Sequence, residues 1–401
     1  MKILLVNKYW YPRGGTERVV LLTKKLLENS GHTVEIFGMK HPRNEFENDY
    51  FVDQVDYAKI TGLKKFKAGV KSIYNWDAKK RFAKLVENFQ PDVIHFHNIY
   101  HQLSWSLLDV IRKTKIPAVM TLHDYKLISP NYNLFLRGKI YERCVGGKYY
   151  RCVLNNCLDN FGQSITATIE AYGRAKPSEL STLIKYFISP SEFLKEKFVR
   201  TGFLDNKIKV IPNALDLDNF GVQEYDKKYA AYAGRLSEEK GLDYLLSTAK
   251  LTPFIRYKII GEGKMGAKLR KRVMQEKINN VEFTGYQTGE ELKSLIANAR
   301  VLIVPSIWYE NYPQSILEAK AMGKIVLASK IGGIPEMLPP ELLVEPKNPL
   351  VLAEKVKYWY SCADDERQSM GERLRREVEG INGTEEYLRE LTNIYHVACN
   401  M

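Results

Sequence analysis

The 401 residues are 45% hydrophobic and 27% charged, which supplies compact cores and excludes a disordered chain. No apolar run reaches the roughly 18–20 residues that span a bilayer, and MKILLVNKYW lacks the apolar stretch and cleavage site of a signal peptide, so a cytoplasmic protein is expected. The net charge of +13 favours acidic partners: nucleic acid, anionic lipid or phosphorylated small molecules.

KILLVN (2–7) is a continuous apolar run, as expected for a strand buried on both faces. A loop with Gly14 and Gly15 follows, then a helical pattern over Glu17–Asn29, and GHTVEIFG returns as a strand. DVIHFH (92–97), PAVMTLHD (117–124), KYFISPS (185–191) and KIKVIPNALD (207–216) continue the series, with helical patterns between most of them. A second series starts at KYAAYAGR (228–235) and runs through YKIIGEG, VEFTGY, RVLIVPS and KIVLAS. Such alternation predicts parallel sheets covered by helices on both faces, and its restart predicts two of them in tandem. The expected division is a first domain over 1–215, a linker over 216–227, a second domain over 228–384 and a closing helix over 385–401 returning to the first. Ligands in such sheets bind beyond the carboxyl ends of the strands, and two sheets offer the cleft between them.

In the second half, Gly234–Gly241 (GRLSEEKG) links a strand to a helix, where backbone N–H groups and the positive helix end suit an anion. Arg235 and Lys240 add two charges that could hold a diphosphate without a metal, although spacing alone also allows solvated loop cations. Gly261 and Gly263 form a lone G-x-G, a poor match to a dinucleotide fingerprint. In PSIWYENYPQSILEAKAMG (305–323), Pro313 fits a first helical position, leaving the Asn311 and Tyr312 amides at the positive end. Glu310 lies just outside that end and Glu318 about a turn and a half inside it. A carboxylate accepts two hydrogen bonds at once, so the pair suits a ligand with ribose, diphosphate and sugar in line; an exposed acid plus a paired helix acid is the plainer alternative.

GRLSEEKG, GEG, FTGY and PSIWYENYPQSILEAKAMGKIVLASKIGGIPE resemble the donor-binding half of family 4 retaining glycosyltransferases, of the GT-B fold. Glu310 and Glu318 match that family's E-x7-E motif, while GGTE (14–17), HFH (95–97), TLHDY (121–125), SPSEFLKEKF (189–198) and VIPNALD (210–216) match its N-terminal half. The resemblance covers nearly the whole chain. It implies two Rossmann-like doubly wound α/β domains facing across a cleft. It implies that Arg235 and Lys240 hold the nucleotide diphosphate, that Glu318 binds ribose, and that Glu310 lies near the transferred sugar. Backbone at Asn311, Tyr312 and Pro313 would contact phosphate and sugar, the G-x-G of Gly261 and Gly263 would belong to the donor site, and Gly285 and Tyr286 would face the base. Gly15 would let its loop approach the donor phosphate, His123 would lie beside the reacting sugar, and His97, Asn98 and Asp124 would line the acceptor side. His123 and Asp124 are expected to orient and polarise, the leaving phosphate taking the acceptor's proton. The DLD triplet at 216–218 falls in the linker and is not read as a metal site, so no cofactor or metal is expected.

The five cysteines are expected to be free or metal-bound in a reducing compartment, not bridged. Cys144, Cys152 and Cys157 could hold zinc with a fourth ligand from elsewhere, but Tyr141 stands where the family carries another Cys, and a reduced packed loop is the preferred reading. Residues 59–84 carry nine Lys or Arg and one Asp, with Phe66, Tyr74, Trp76 and Phe82 interleaved. This stretch could rest on an anionic bilayer on the inner face of the plasma membrane, or be a solvated basic helix; no nucleic-acid motif accompanies it.

The resulting expectation is a metal-independent retaining glycosyltransferase moving a sugar from a UDP-sugar, rather than a GDP-sugar, to a saccharide or polyprenyl-linked acceptor for a surface polysaccharide. The rivals are a nucleotide-sugar epimerase of the same fold and an inactive GT-B scaffold protein.

Overall fold

The computed structural model describes residues 1–55, 62–174, 176–223 and 226–400, with backbone only over 62–67. The chain divides into two compact units. The first takes the residues up to Leu134, then Tyr141–Ala214, and the C-terminal stretch from Thr384; the second takes Phe135–Ile140 and Leu215–Gly383.

In the first unit, β1 (Lys2–Val6), β2 (Thr33–Phe37), β3 (Val93–Phe96), β4 (Ala118–Thr121), β5 (Tyr186–Ser189) and β6 (Ile208–Val210) form one sheet. Their order is β2-β1-β3-β4-β5-β6, with every neighbouring pair parallel. Both faces of such a sheet are covered, which is why β3 and β4 are buried at every position. The helices are α1 (Gly15–Asn29), α2 (Gly62–Ile73), α3 (Trp76–Phe89), α4 (Leu108–Thr114), α5 (Tyr150–Leu154), α6 (Phe161–Gly173), α7 (Pro177–Leu183) and α8 (Glu192–Val199). Asn75 starts α3 by accepting from the Ala78 amide, and Ser191 starts α8 by accepting from the Leu194 amide.

In the second unit, β7 (Ala230–Ala233), β8 (Tyr257–Ile260), β9 (Val281–Gly285), β10 (Val301–Val304), β11 (Ile325–Ser329) and β12 (Leu343–Val344) form a parallel sheet in the order β9-β8-β7-β10-β11-β12. It is accompanied by α9 (Leu242–Leu251), α10 (Gly266–Gln275), α11 (Gly289–Ala297), α12 (Gln314–Ala321), α13 (Pro349–Ser361) and α14 (Asp364–Ile381). The connection reverses direction at β1/β3 in one sheet and at β7/β10 in the other, and these are the switch points where open α/β sheets take ligands. The closing helix α15 (Thr384–Cys399) completes the first unit's core, placing Tyr387, Leu391 and Tyr395 among Ile3, Leu5 and Val20. Its Tyr387 hydroxyl lies 2.8 Å from Thr23 Oγ1, and its Tyr395 hydroxyl lies 2.7 Å from His95 Nδ1.

The structure differs from the sequence reading in three places. A short antiparallel hairpin, Phe135–Leu136 with Lys139–Ile140, groups with the second unit although the surrounding residues belong to the first. Pro313 is not the first helical residue but the one before it, with φ −67° and an extended ψ of 123°; α12 begins at Gln314. Cys152 and Cys157 are bonded to each other across a 4.9 Å Cα separation, because the short helix α5 turns back over five residues. That corrects the expectation of unbridged cysteines and dismantles the zinc set of Cys144, Cys152 and Cys157. Cys144 stays a buried thiol 3.1 Å from the Ser129 hydroxyl. Within the basic stretch, Phe82 is in the core against Phe37 and Phe96, while Trp76 is 63% exposed. Residues 59–61 of that stretch lie outside the described residues.

Candidate active site

The second unit gathers its candidate residues on loops that leave the carboxyl ends of neighbouring strands. Backbone hydrogen bonds lace these loops together. Leu236 N donates to Glu262 O (2.8 Å), Met265 N to Leu236 O (2.9 Å), Gly261 N to Gly285 O (2.7 Å), Ile307 N to Glu239 O (2.9 Å) and Gly333 N to Glu310 O (2.7 Å). The lacing demands glycine where main chains touch. A Cβ on Gly261 would stand 2.0 Å from Gly234 O, and one on Gly241 would stand 1.9 Å from Pro305 O. Both have positive φ, +133° and +70°.

Lys240 and Glu310 meet inside this frame. Lys240 Nζ donates to Glu310 Oε1 at 2.6 Å, and the Ser306 hydroxyl donates to the same oxygen at 2.6 Å. The Lys240 ammonium also lies 5.2 Å from the centre of the Trp308 ring. The Glu310 side chain is 6% exposed and that of Lys240 18%. Burial acts to raise the Glu310 carboxyl, but the Lys240 charge and the Lys240 and Ser306 hydrogen bonds outweigh it, and the carboxyl ends below its ordinary range. A charged pair thus waits, desolvated and oriented, at the sheet's switch point. Arg235 stands in the same loop as Lys240 but turns outward, 62% exposed, with its guanidinium 3.8 Å from Glu239. The loop's shape is fixed by the buried Tyr232 hydroxyl, which donates to Arg235 O at 2.8 Å, and by Ser237, which donates to Glu239 at 2.6 Å.

Glu318 is buried on α12, five residues into the helix whose N-terminus follows Glu310, Asn311, Tyr312 and Pro313. Tyr312 turns its ring into the core, where its hydroxyl accepts from Asn382 Nδ2 at 3.1 Å. Gly285 closes β9 with φ +77°, and Tyr286 beside it is 55% exposed. Gly263 follows β8, packed on Leu236. The structure therefore brings Lys240 and Glu310 into contact and sets Arg235, Gly261, Gly263, Gly285 and the start of α12 on the same strand ends. Ser306, Trp308 and Tyr232 complete the arrangement. The sequence reading singled out none of the three.

The first unit has its own polar cluster, again at strand ends. Gly15 opens α1. His97 Nδ1 and His123 Nε2 lie 2.9 Å apart, and the centre of the His95 ring lies 4.1 Å from that of His97, tilted by 33°. Burial pushes the His123 imidazole down to about 3, which keeps it neutral at neutral pH. Asn98 donates its amide to Asn7 Oδ1. Asp124 Oδ1 accepts from the Lys126 amide at 2.8 Å, and Lys126 Nζ reaches Glu170 Oε2 at 2.8 Å, both side chains almost wholly buried. That Lys126–Glu170 pair was not legible from sequence, since the partners sit on separate elements.

Burial raises the Asp124 carboxyl from 3.8 to about 6, against the Lys126 amide and the Lys126 and Lys8 charges. The folded value lies above the unfolded one. The stability gained from protonation is therefore fully present below the unfolded value and lost as pH rises through about 6. Acidifying from about pH 7 to about pH 5 should raise the wild-type melting temperature relative to that of Asp124→Asn. Parallel melting curves for the two proteins across that window would contradict the buried carboxylate.

Comparison with known proteins gives the arrangement a family. A model described as Glycosyl transferases group 1 matches residues 217–377, and one described as Glycosyltransferase Family 4 matches residues 13–155. The chain belongs to glycosyltransferase family 4. An uncharacterized glycosyltransferase of Methanocaldococcus jannaschii is 29% identical over 100% of this chain and 99% of its own. An uncharacterized 42.6 kDa protein in the cps region of Klebsiella pneumoniae is 25% identical over 84% of this chain and 87% of its own. The putative colanic acid biosynthesis glycosyltransferase WcaL of Escherichia coli is 27% identical over 40% of this chain and 43% of its own. Among solved structures, the sucrose-phosphate synthase of Thermosynechococcus elongatus superposes with a TM-score of 0.74 at 18% identity, covering 99% of this chain and 98% of that one. HepE of Anabaena, in complex with UDP and glucose, superposes with a TM-score of 0.65 at 16% identity, covering 98% of each chain. The fold of this family 4 member is thus GT-B, built of two Rossmann-like parallel-sheet domains.

Proposed function

We propose that this glycosyltransferase moves a sugar from a UDP-sugar to a saccharide or lipid-linked saccharide in surface polysaccharide assembly, with retention at the anomeric carbon and without a metal. The observation that carries the reading is the part-buried Lys240–Glu310 contact at the strand ends of the second unit, with Arg235 in the same loop. Support for the nucleotide comes from HepE, solved with UDP and glucose, and for the pathway from the colanic acid relative.

In this reading the bond from the anomeric carbon to the diphosphate oxygen breaks as the acceptor hydroxyl oxygen bonds to that carbon on the same face. Charge grows on the departing diphosphate, where Lys240, Arg235 and the amides before α12 are assigned to meet it. The acceptor's proton passes to the leaving phosphate. Glu310 fixes the Lys240 ammonium in advance, so little reorganisation is needed when charge develops. Glu318 takes the ribose hydroxyls, and neutral His123 orients by hydrogen bonding. Two hydrogen bonds to a carboxylate are worth a few kcal/mol together, so Glu318→Ala should weaken UDP binding by about one to two orders of magnitude in calorimetry. The same UDP affinity in the variant would remove Glu318 from the donor site. Slow hydrolysis of one UDP-sugar, and of no GDP-sugar, in the absence of acceptor would support the nucleotide assignment.

A lipid-linked acceptor also calls for a membrane surface, which no helix among the described residues is long and apolar enough to cross. The exposed Trp76, with Lys71 and Lys80 nearby in sequence, is the described part of the basic stretch assigned to that contact. Liposomes containing anionic lipid should sediment the protein at low salt, whereas neutral liposomes should not; equal sedimentation by both would remove the assignment.

A further inference from the structure

The loop that follows β1 carries a group of cations to which the proposed donor site assigns no role. Lys8, Arg13 and, from the loop after β2, Arg43 lie close enough for their charges to act on one another or on His41 between them. Aromatic faces hold them: the Arg13 guanidinium lies 4.4 Å from the Tyr9 ring centre, Arg43 lies 4.8 Å from Tyr11, and Lys8 lies 5.1 Å from Tyr9. His41 stacks on Tyr11 at 4.5 Å.

The cluster is built, not splayed. Trp10, wholly buried, donates its ring N–H to Phe37 O at 3.2 Å. Gly38 lies so close to it that a Cβ there would stand 2.5 Å from Trp10 Nε1. Asn44 Oδ1 accepts from the Trp10 amide and Asn44 Nδ2 donates to Met39 O, while the Met39 amide donates to Lys8 O. The two loops are therefore pinned to each other, and the cations they carry are brought together by the fold.

No carboxylate among the described residues forms an ion pair with Lys8, Arg13 or Arg43. Glu17, whose charge reaches Lys8 and Arg13, is buried and spends its carboxylate on the Gly14 and Glu17 amides at the start of α1. Asp124 is bound to the Lys126 amide and Glu170 is paired with Lys126. Like charges gathered in a rigid frame, with the nearby Glu17, Asp124 and Glu170 carboxylates engaged by other donors, favour an anion that joins them. Guanidiniums fork onto carboxylate or phosphate oxygens, and the flanking tyrosines offer flat faces beside them.

We propose that Lys8, Arg13 and Arg43, set among Tyr9, Tyr11 and His41, form a subsite for an oxyanion carried by the acceptor: the carboxylate of an acidic sugar, or the phosphate that joins the saccharide to its lipid. The inference rests on the glycosyltransferase reading and adds to it the charge of the substrate that is extended.

The test uses the full chain saturated with UDP, so that the donor site is occupied. Inorganic diphosphate, a glucuronate-terminated oligosaccharide and a neutral oligosaccharide of equal length are titrated by calorimetry into the wild type and the double variant Arg13→Gln/Arg43→Gln. Both substituted side chains are exposed, and a melting curve confirms that the variant folds. At least one anionic probe should bind the wild type and bind the variant about tenfold more weakly or worse, with UDP affinity unchanged. Weakened diphosphate alone points to the lipid phosphate, and weakened glucuronate alone points to an acidic saccharide. The proposal is overturned if neither anionic probe binds, if the variant binds them as well as the wild type does, or if UDP affinity falls along with theirs. Failure of the wild type to bind UDP would count against the donor-site reading, and the anionic titrations would still decide the subsite.

Discussion

Replacing Lys240 with Met should lower kcat by about 10²–10³-fold, with a much smaller change in KM for the donor. On the proposed mechanism the loss lies in the transition state, where the ammonium would meet the additional charge that grows as the diphosphate departs. The substitution also leaves Glu310 buried without its cation, and breaking one side of such a pair costs about 3–5 kcal/mol of stability. The two effects separate in the double variant Lys240→Met/Glu310→Gln, which removes the stranded charge. Its melting temperature should recover most of the way, while kcat stays low. Recovery of both together would mean that Lys240 serves only to neutralise Glu310.

The largest stability effect is expected at Gly241. Its φ of +70° is a left-handed conformation, and an added Cβ would stand 1.9 Å from Pro305 O, main chain that cannot swing aside. Gly241→Ala should therefore cost about 3 kcal/mol or more, since strain and collision add. Gly31 supplies the control, because its φ is +80° and nothing lies within 4 Å of an added Cβ. Gly31→Ala should cost only about 1–2 kcal/mol, the penalty of the left-handed conformation alone. Urea unfolding of the two variants measures the difference, and equal losses would show that the contact with the Pro305 carbonyl is relaxed without penalty. If Gly241→Ala folds at low temperature, its UDP affinity should also fall, because Gly241 joins the Lys240 loop to the loop that leads to Glu310.

Much of this architecture was legible because it is local. Continuous apolar runs such as Lys2–Val6 and Val301–Val304 can only be strands covered on both faces, and their alternation with helical patterns fixed two parallel sheets. The eight-residue step from Glu310 to Glu318 placed both acids around a helix start, and the structure puts α12 there, one residue later than Pro313 suggested. A proline's fixed φ suits the position before a helix as well as the first position within it, and ψ, which sequence does not reveal, decides between them. What was not legible depends on contacts between distant parts of the chain. Lys240 meets Glu310 across 70 residues, and Lys126 lies far in sequence from Glu170. The G-x-G of Gly261 was a weak signal and Gly241 carried none of its own, but both positions are required by the carbonyls of Gly234 and Pro305, which belong to other loops. The bond between Cys152 and Cys157 was misjudged by arguing from compartment when the turn after α5 brings the sulfurs together.

The most direct test is the structure of this enzyme crystallised with UDP in the presence of a chelator. The account predicts the diphosphate beside Lys240 and Arg235, the ribose on Glu318, and no divalent ion. UDP lodged in the first unit, or bound only when magnesium or manganese is supplied, would contradict it.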